Sequence, residues 1–327
     1  MVETKQDLEL GLSKFMFELS EGEVRVVGTN EVQQPELTII EKIYAGSKSE
    51  ATGFYKKNGS GVGVKVDSDS LSVKEKSSSG VVSGGSGNVP TAGGSSQLPR
   101  REMQVVLKVP VAKNVNEGET SKPESERAYS INVDFGDIRV ENTTGKYDIF
   151  AGSGKVVIER CRMEESKIVA GDIEVAGTTF NLCTITTLSG NVGAAGTTFN
   201  SSTIKTVSGN VGTTGTTFNL CTIETVSGNV GTTGTTFNSS TIKTKFGNIE
   251  ATGIFRGINI VRTESGNISF KFDRGGQGEV EVIEVQTSSG GGAIQTTKSF
   301  FKGVKNPNGQ TARLSLITQA GKIEVNE

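Results

Sequence analysis

The chain has 327 residues, 33% hydrophobic and 6% aromatic, with 43 glycines and neither histidine nor tryptophan. Its 34 basic and 36 acidic side chains leave a net charge of −2, which argues against a nucleic-acid partner held through a broad electrostatic footprint. So lean a composition predicts a thin core, one side chain deep on each wall, rather than the richer core of a compact enzyme.

Residues 1–76 read as strands without a clean repeat. Lys14-Phe15-Met16-Phe17-Glu18-Leu19 leads into Gly22-Glu23-Val24-Arg25-Val26, where apolar and charged residues alternate with the period of a half-buried strand. Further strands are predicted at 37–43, 62–67 and 70–74, and a short helix around 45–55. Residues 77–99 are Gly/Ser-rich, the composition of a flexible insert. Strand character resumes at 103–111, with Pro110 expected at a strand end because it lacks an amide donor. A polar loop at 114–127 precedes strands at Tyr129-Ser130-Ile131-Asn132-Val133 and Gly136-Asp137-Ile138-Arg139-Val140.

From Ala170 the chain repeats every 19 residues, each turn opening on Ser189-Gly190-Asn191-Val192 or its equivalents at 208, 227, 246 and 265. A fixed period of this length marks units that stack on one another. Gly136 and Gly152 are taken as corners of degenerate earlier turns. The predicted fold is all-β, a parallel β-helix (β-solenoid) with a 19-residue turn and two or three short walls. Its expected parts are N-terminal strands and cap at 1–76, the insert at 77–99, the regular solenoid at 100–273, and looser turns with a cap at 274–327.

Within one turn, Val211, Phe218 and Ile223 are the predicted inward residues, repeated at Val192, Phe199 and Ile204 before and at Val230, Phe237 and Ile242 after. Two asparagine columns, 191/210/229/248/267 and 181/200/219/238, are expected as hydrogen-bonded corner ladders. A 38-residue period overlies the shorter one: Leu182-Cys183 and Leu220-Cys221 alternate with Ser201-Ser202 and Ser239-Ser240, the mark of tandem duplication of a two-turn unit. Lys205, Glu224 and Lys243 alternate in sign on the outside. Cys183 and Cys221, two turns apart, would sit about 9–10 Å from each other, too far for a disulfide. With Cys161 they are expected as buried thiols.

These segments together resemble a family of candidate adhesins of unknown function, β-solenoids built of recurring Ser/Thr-Gly-Asp/Asn-Val/Ile turns. The likeness runs from about residue 14 to 325. It is carried by Gly22-Glu23-Val24-Arg25-Val26, by 67–73, by Val106-Leu107-Lys108-Val109-Pro110, and by Gly136-Asp137-Ile138-Arg139-Val140 onward. The insert at 77–99 and the near-identical tandem turns depart from that pattern. The resemblance implies a solenoid and no catalytic residues.

Chemistry is sparse. Without histidine, imidazole metal centres and Ser-His-Asp or Cys-His triads are excluded, and the cysteines lack CxxC spacing. Asp134, Asp137, Asp172 and Glu174 are the carboxylates a polysaccharide-cleaving β-helix would need, and solvated turn residues are the blander reading. Threonines at 213–217 and 232–236, with Thr203, Thr222 and Thr241, could form a flat grid that orders water or meets ice or a crystalline polysaccharide, against the simpler reading that threonine is a good strand residue. The expectation is a non-enzymatic scaffold or adhesin-like binding protein with a repetitive surface, and no catalytic, cofactor or metal residues. The alternatives are a carbohydrate-active β-helix enzyme and a bactofilin-like self-assembling scaffold. Expected partners are a glycan or cell-surface ligand, or a second copy through the solenoid ends, with no nucleic acid and no membrane insertion. Lack of a signal-like N-terminus or an 18-residue apolar run predicts a cytoplasmic protein, or a surface one exported by another route. Any special site is expected where the repeat fails, around Phe255-Arg256 and after Asp273.

Overall fold

The computed structural model describes residues 2–8, 12, 14–32, 34–44, 62–66, 69–76, 100–111, 126–272, 280–287, 294–296 and 312–326. The predicted helix at 45–55, the Gly/Ser insert at 77–99, most of the loop at 114–127 and the segment just after Asp273 lie outside the described residues. The chain forms two compact units, Met1–Gly154 and Lys155–Glu327, and both are built of strands.

In the second unit a typical coil has three walls, Val192–Ala195, Thr198–Asn200 and Thr203–Thr206. Each pairs in parallel with the wall 19 residues later, Val192 on Val211, Phe199 on Phe218 and Ile204 on Ile223. Alternation along each strand sends these residues inward, and all of them are buried. Strands about 4.8 Å apart carry their side chains with them. Phe180, Phe199, Phe218 and Phe237 therefore form a stack with centroids 4.9, 5.0 and 5.3 Å apart and planes within 10°. Each buried ring contributes roughly 1.5–3 kcal/mol of transfer free energy.

The corners explain the rest of the repeat. Two of them turn through left-handed residues, one at Gly177, Gly196, Gly215 and Gly234, the other at Leu182, Ser201, Leu220 and Ser239. A small polar residue follows each and points inward. After the second corner these residues form a buried chain. Cys183 N–H donates to Ser202 Oγ (3.0 Å), Ser202 N–H to Cys221 Sγ (3.4 Å), Cys221 N–H to Ser240 Oγ (3.1 Å), and Ser240 N–H to Asn259 Oδ1 (2.9 Å). Thiol and hydroxyl are interchangeable there because either can accept from the coil before it. The cysteines are free and buried. The Leu partners, Leu182 and Leu220, project into solvent at 62% and 67% exposure.

The third corner is Ser-Gly-Asn. A Cβ on Gly209, Gly228, Gly247 or Gly266 would land on the carbonyl oxygen of the corner glycine one coil earlier, so only glycine fits. Buried threonines hold the same corner: Thr244 Oγ1 donates to Gly228 O (3.1 Å) and Thr263 Oγ1 to Gly247 O (3.0 Å).

In the first unit, Gly154 rather than Gly152 occupies the corner above Gly136, since a Cβ on Gly154 would strike the Gly136 carbonyl. Gly152, in the same long strand Thr144–Glu159, instead faces the Asp134 carbonyl, which corrects the register taken from sequence. Pro110 ends the strand Arg100–Pro110, as its missing donor requires.

The order of coils also departs from the order of the chain. Lys14–Glu21 lies between Ser70–Glu75 and Ala128–Phe135, parallel to both. Glu23–Thr29 likewise lies between Arg100–Pro110 and Ile138–Glu141. The first coil in sequence is thus second in the stack. Antiparallel strands cover the coil beyond it: Val62–Val66 on Ser70–Glu75, Glu36–Tyr44 on Arg100–Pro110, and Val2–Asp7 on Glu36–Tyr44. In the second unit Ala312–Ala320 inserts between Ile258–Ser265 and Val280–Thr287, and Ile323–Asn326 between Ile268–Phe272 and Ile294–Thr296. At both places a coil is skipped and filled by a segment remote in sequence.

Two stability tests follow from the buried columns. Phe218→Ala should lower stability by about 3–5 kcal/mol in urea melts, because a one-residue-deep core cannot collapse around the lost ring. Cys221→Ala should cost about 1 kcal/mol or more by stranding the Ser202 amide, whereas Cys221→Ser should stay near the parent. Equal effects of Ala and Ser at 221 would contradict the hydrogen-bonded column.

Candidate functional site

The carboxylates singled out in the sequence have separate employments. Asp134 and Asp137 are exposed on the first unit. On the second, Asp172 Oδ1 accepts the Asn191 N–H at 2.7 Å, and Glu174 pairs with Lys155 at 2.6 Å. Burial pushes the Cys183 and Cys221 thiols up from their ordinary range, which disfavours the nucleophilic thiolate. Among the described residues no three Cys, Asp or Glu side chains are placed to hold a metal ion, and no helix is long and apolar enough to cross a membrane.

A charged cluster missed by sequence reasoning lies on the first unit. Arg25 and Arg139 stand opposite one another on neighbouring parallel strands, a like-charge juxtaposition that needs an acid between them. Glu141, 6% exposed, supplies it, accepting from Arg25 Nη2 at 3.0 Å and from Arg139 Nε. Burial alone would raise its carboxyl pKa, but the hydrogen bonds and charges of Arg139 and Arg25 outweigh it and hold the group below the usual carboxylate range. The cluster reads as a structural clamp.

The predicted threonine grid is halved. Thr213, Thr216, Thr232 and Thr235 are buried, leaving Thr214 and Thr233 exposed and Thr217 and Thr236 half-buried. Strand alternation makes this unavoidable, since consecutive threonines face opposite sides. At the irregular turn of Phe255-Arg256, Arg256 is exposed and its backbone carbonyl accepts the Ser239 N–H at 2.9 Å. Phe255 continues the ring stack 4.9 Å from Phe237, and a register shift between Thr232 and Thr235 merely straightens one corner.

On the outside of the second unit a column of bare positions recurs beside a groove. In the first wall, Glu174, Gly193, Gly212, Gly231 and Glu250 occupy one outward column. An open groove of about 520 Å³ is lined by Lys155, Asp172, Glu174, Asn191, Gly193, Asn210 and Gly212, and an adjoining one of about 380 Å³ reaches Ala195 and Thr214. A Cβ on Gly212 or Gly231 would meet nothing within 4 Å, and neither has a positive φ. Glycine inside a strand costs roughly 0.5–1 kcal/mol relative to alanine, and here neither backbone nor packing demands it.

Beside this floor runs the corner asparagine ladder. Asn210 N–H donates to Asn191 Oδ1 (2.9 Å), Asn229 N–H to Asn210 Oδ1, Asn248 N–H to Asn229 Oδ1 and Asn267 N–H to Asn248 Oδ1 (each 2.8 Å), and Lys322 N–H to Asn267 Oδ1 (2.9 Å). A backbone amide can only donate, so it fixes each Oδ1 on the next coil and leaves Nδ2 of these exposed residues as a donor without a protein partner. Asp172 heads the ladder, showing that a carboxylate oxygen serves as acceptor equally well. The other column spends its amides internally: Asn200 Nδ2 donates to Asn181 Oδ1 (2.7 Å) and Asn219 Nδ2 to Asn200 Oδ1 (2.8 Å). The recurring Asn-Val-Gly of the sequence carried the signal for the groove, but only the register places floor and donors side by side.

The chain belongs to the Toastrack DUF4097 family, whose model matches residues 42–252, more than half of its length. No curated protein matches the chain. Among solved structures, it is similar to a candidate adhesin from Bacteroides fragilis, with 12% identity, 100% of this chain and 96% of that one covered, and a TM-score of 0.34. A candidate lipid-binding protein from Parabacteroides distasonis is 10% identical over 98% and 96% of the two chains, with a TM-score of 0.41. A candidate cell adhesion protein from Clostridium sporogenes is 12% identical over 99% and 98%, with a TM-score of 0.20.

The Glu141 clamp gives a pH dependence with a definite sign. Its folded pKa lies below the unfolded value, so its stabilisation is present above about pH 4.3 and is lost as pH falls through the folded pKa. Glu141→Gln should therefore melt below the parent at pH 7, and the gap should close in acid; a gap independent of pH would contradict the clamp.

Proposed function

We propose that this toastrack chain is a non-enzymatic binding scaffold, adhesin-like in the sense that it engages its ligand by repeated weak contacts along a coil wall. One observation carries the reading: consecutive coils offer the same outward groups, an amide donor and a bare strand glycine, in register. Contacts repeated at one-coil spacing add through effective concentration, so an extended ligand gains avidity without any deep pocket. A glycan is the partner class this favours.

A carbohydrate-cleaving enzyme would need two carboxyl groups converging across a bond with distinct environments. Asp172 and Glu174 are instead tied to the ladder and to Lys155, which supports binding over cleavage. Self-assembly through the ends meets a covered coil in the first unit, where antiparallel strands occupy the edge.

The test is to incubate the full chain with a panel of neutral and acidic polysaccharides and follow both retention and bond cleavage. The reading expects retention on at least one of them, with no new reducing or unsaturated ends. Release of such ends would replace it with the enzyme, and filaments in negative stain without retention would replace it with the polymer.

A further inference from the structure

We infer that the outer face of the first wall, where the groove over Gly193 and Gly212 is followed in register by Gly231 on the next coil, binds a neutral polysaccharide strand lying along the stacking direction, with Asn191, Asn210 and Asn229 as its donors. The inference rests on the scaffold reading above and names its ligand class and its residues.

Three features select the class. The ladder hydrogen bonds fix these exposed amides the same way round, with Oδ1 on the N–H of the next coil and Nδ2 without a protein partner. A row of identical donors suits a polymer with an acceptor oxygen in every unit. Among the described residues no protein group accepts from these Nδ2 atoms, so a ligand would displace only water. The second asparagine column supplies a contrast within the same coils, because Asn200 and Asn219 spend Nδ2 on the coil before and offer no such row.

The charge pattern excludes a polyanion. At one end Glu174 is neutralised by Lys155, at the other stands Glu250, and between them the wall carries only glycine, alanine and threonine outward. An acidic glycan or a phosphate polymer would meet no free cation along this floor and would meet Asp172 and Glu250 at its margins. A hydroxyl-rich neutral chain meets neither penalty.

The spacing fits as well. Successive coils lie about 4.8 Å apart, close to the length of one sugar residue in an extended β-linked chain. The floor glycines let such a chain approach the backbone directly. Gly212 and Gly231 have open space where a side chain would stand, so the wall is kept bare where the fold would accept a better strand former.

Two sets of variants separate this site from the scaffold as a whole. Gly212→Val combined with Gly231→Val fills the floor from Cβ positions that stand in open space, with residues that favour strands. Asn210→Asp keeps the ladder acceptor, as Asp172 does, while removing the central donor and leaving Asn191 between it and the Asp172 charge. The full chain and both variants are measured for retention on insoluble cellulose, chitin and a β-1,3-glucan, with melting temperature as the check on folding. The expected result is retention of the parent on at least one matrix, a tenfold or greater loss in the valine variant at equal or higher melting temperature, and a smaller loss in the aspartate variant. Parent-like retention by a folded valine variant would overturn the site while leaving the scaffold reading standing. No retention of the parent on these matrices, with retention on acidic ones, would overturn the neutral class; no retention on any matrix would overturn both.

Discussion

Everything in this molecule depends on the parallel backbone ladder that joins each coil to the next. Strands held about 4.8 Å apart in register place every side chain directly above its counterpart. A residue that suits its neighbour once must suit it at every level, so the coil is selected as a set of columns rather than as a set of positions. Phenylalanine satisfies this by offset stacking, asparagine by a side-chain oxygen aimed at the next amide, and the corner glycine by having no Cβ to strike the carbonyl behind it.

The columns account for how much was legible in the sequence. Val211, Phe218 and Ile223 were recognisable as inward because apolar residues recur at one fixed offset, and all three are buried. Cys183 and Cys221 were recognisable as buried thiols, although their use as acceptors alternating with serine hydroxyls depends on corner geometry that spacing alone does not convey. The threonine faces were misjudged because a run such as Thr213-Thr214 hides which residue the pleat turns inward. Gly152 and Gly154 are two residues apart and chemically equal, so only the contact with the Gly136 carbonyl distinguishes them. The exchanged order of coils left no mark in the pattern. Parallel in-register pairing looks the same in sequence whether the partner is the adjacent coil or one supplied from 55 residues away, as Lys322 is to Asn267.

The candidate site lies away from the irregular turn at Phe255-Arg256. The break in the repeat near Phe255 keeps the ring stack and straightens a corner, whereas the exposed donors and the bare floor occur where the repeat is most uniform. Uniformity is poorly suited to catalysis, which needs carboxyl groups in unlike environments. It is well suited to a ligand that is itself periodic, because one coil solves the recognition problem and the others repeat it.

The most direct measurement is the thermal unfolding of two internal deletions. Removing 208–226 takes out one whole coil and brings Phe199 against Phe237, Ser202 against Ser240 and Asn191 against Asn229. Removing 208–217 takes out about half a coil and sets every later residue against the wrong column. If columns in register hold the fold, the whole-coil deletion gives a soluble chain with a cooperative melt close to the parent, and the shorter deletion does not fold. Comparable damage from both deletions would contradict the account.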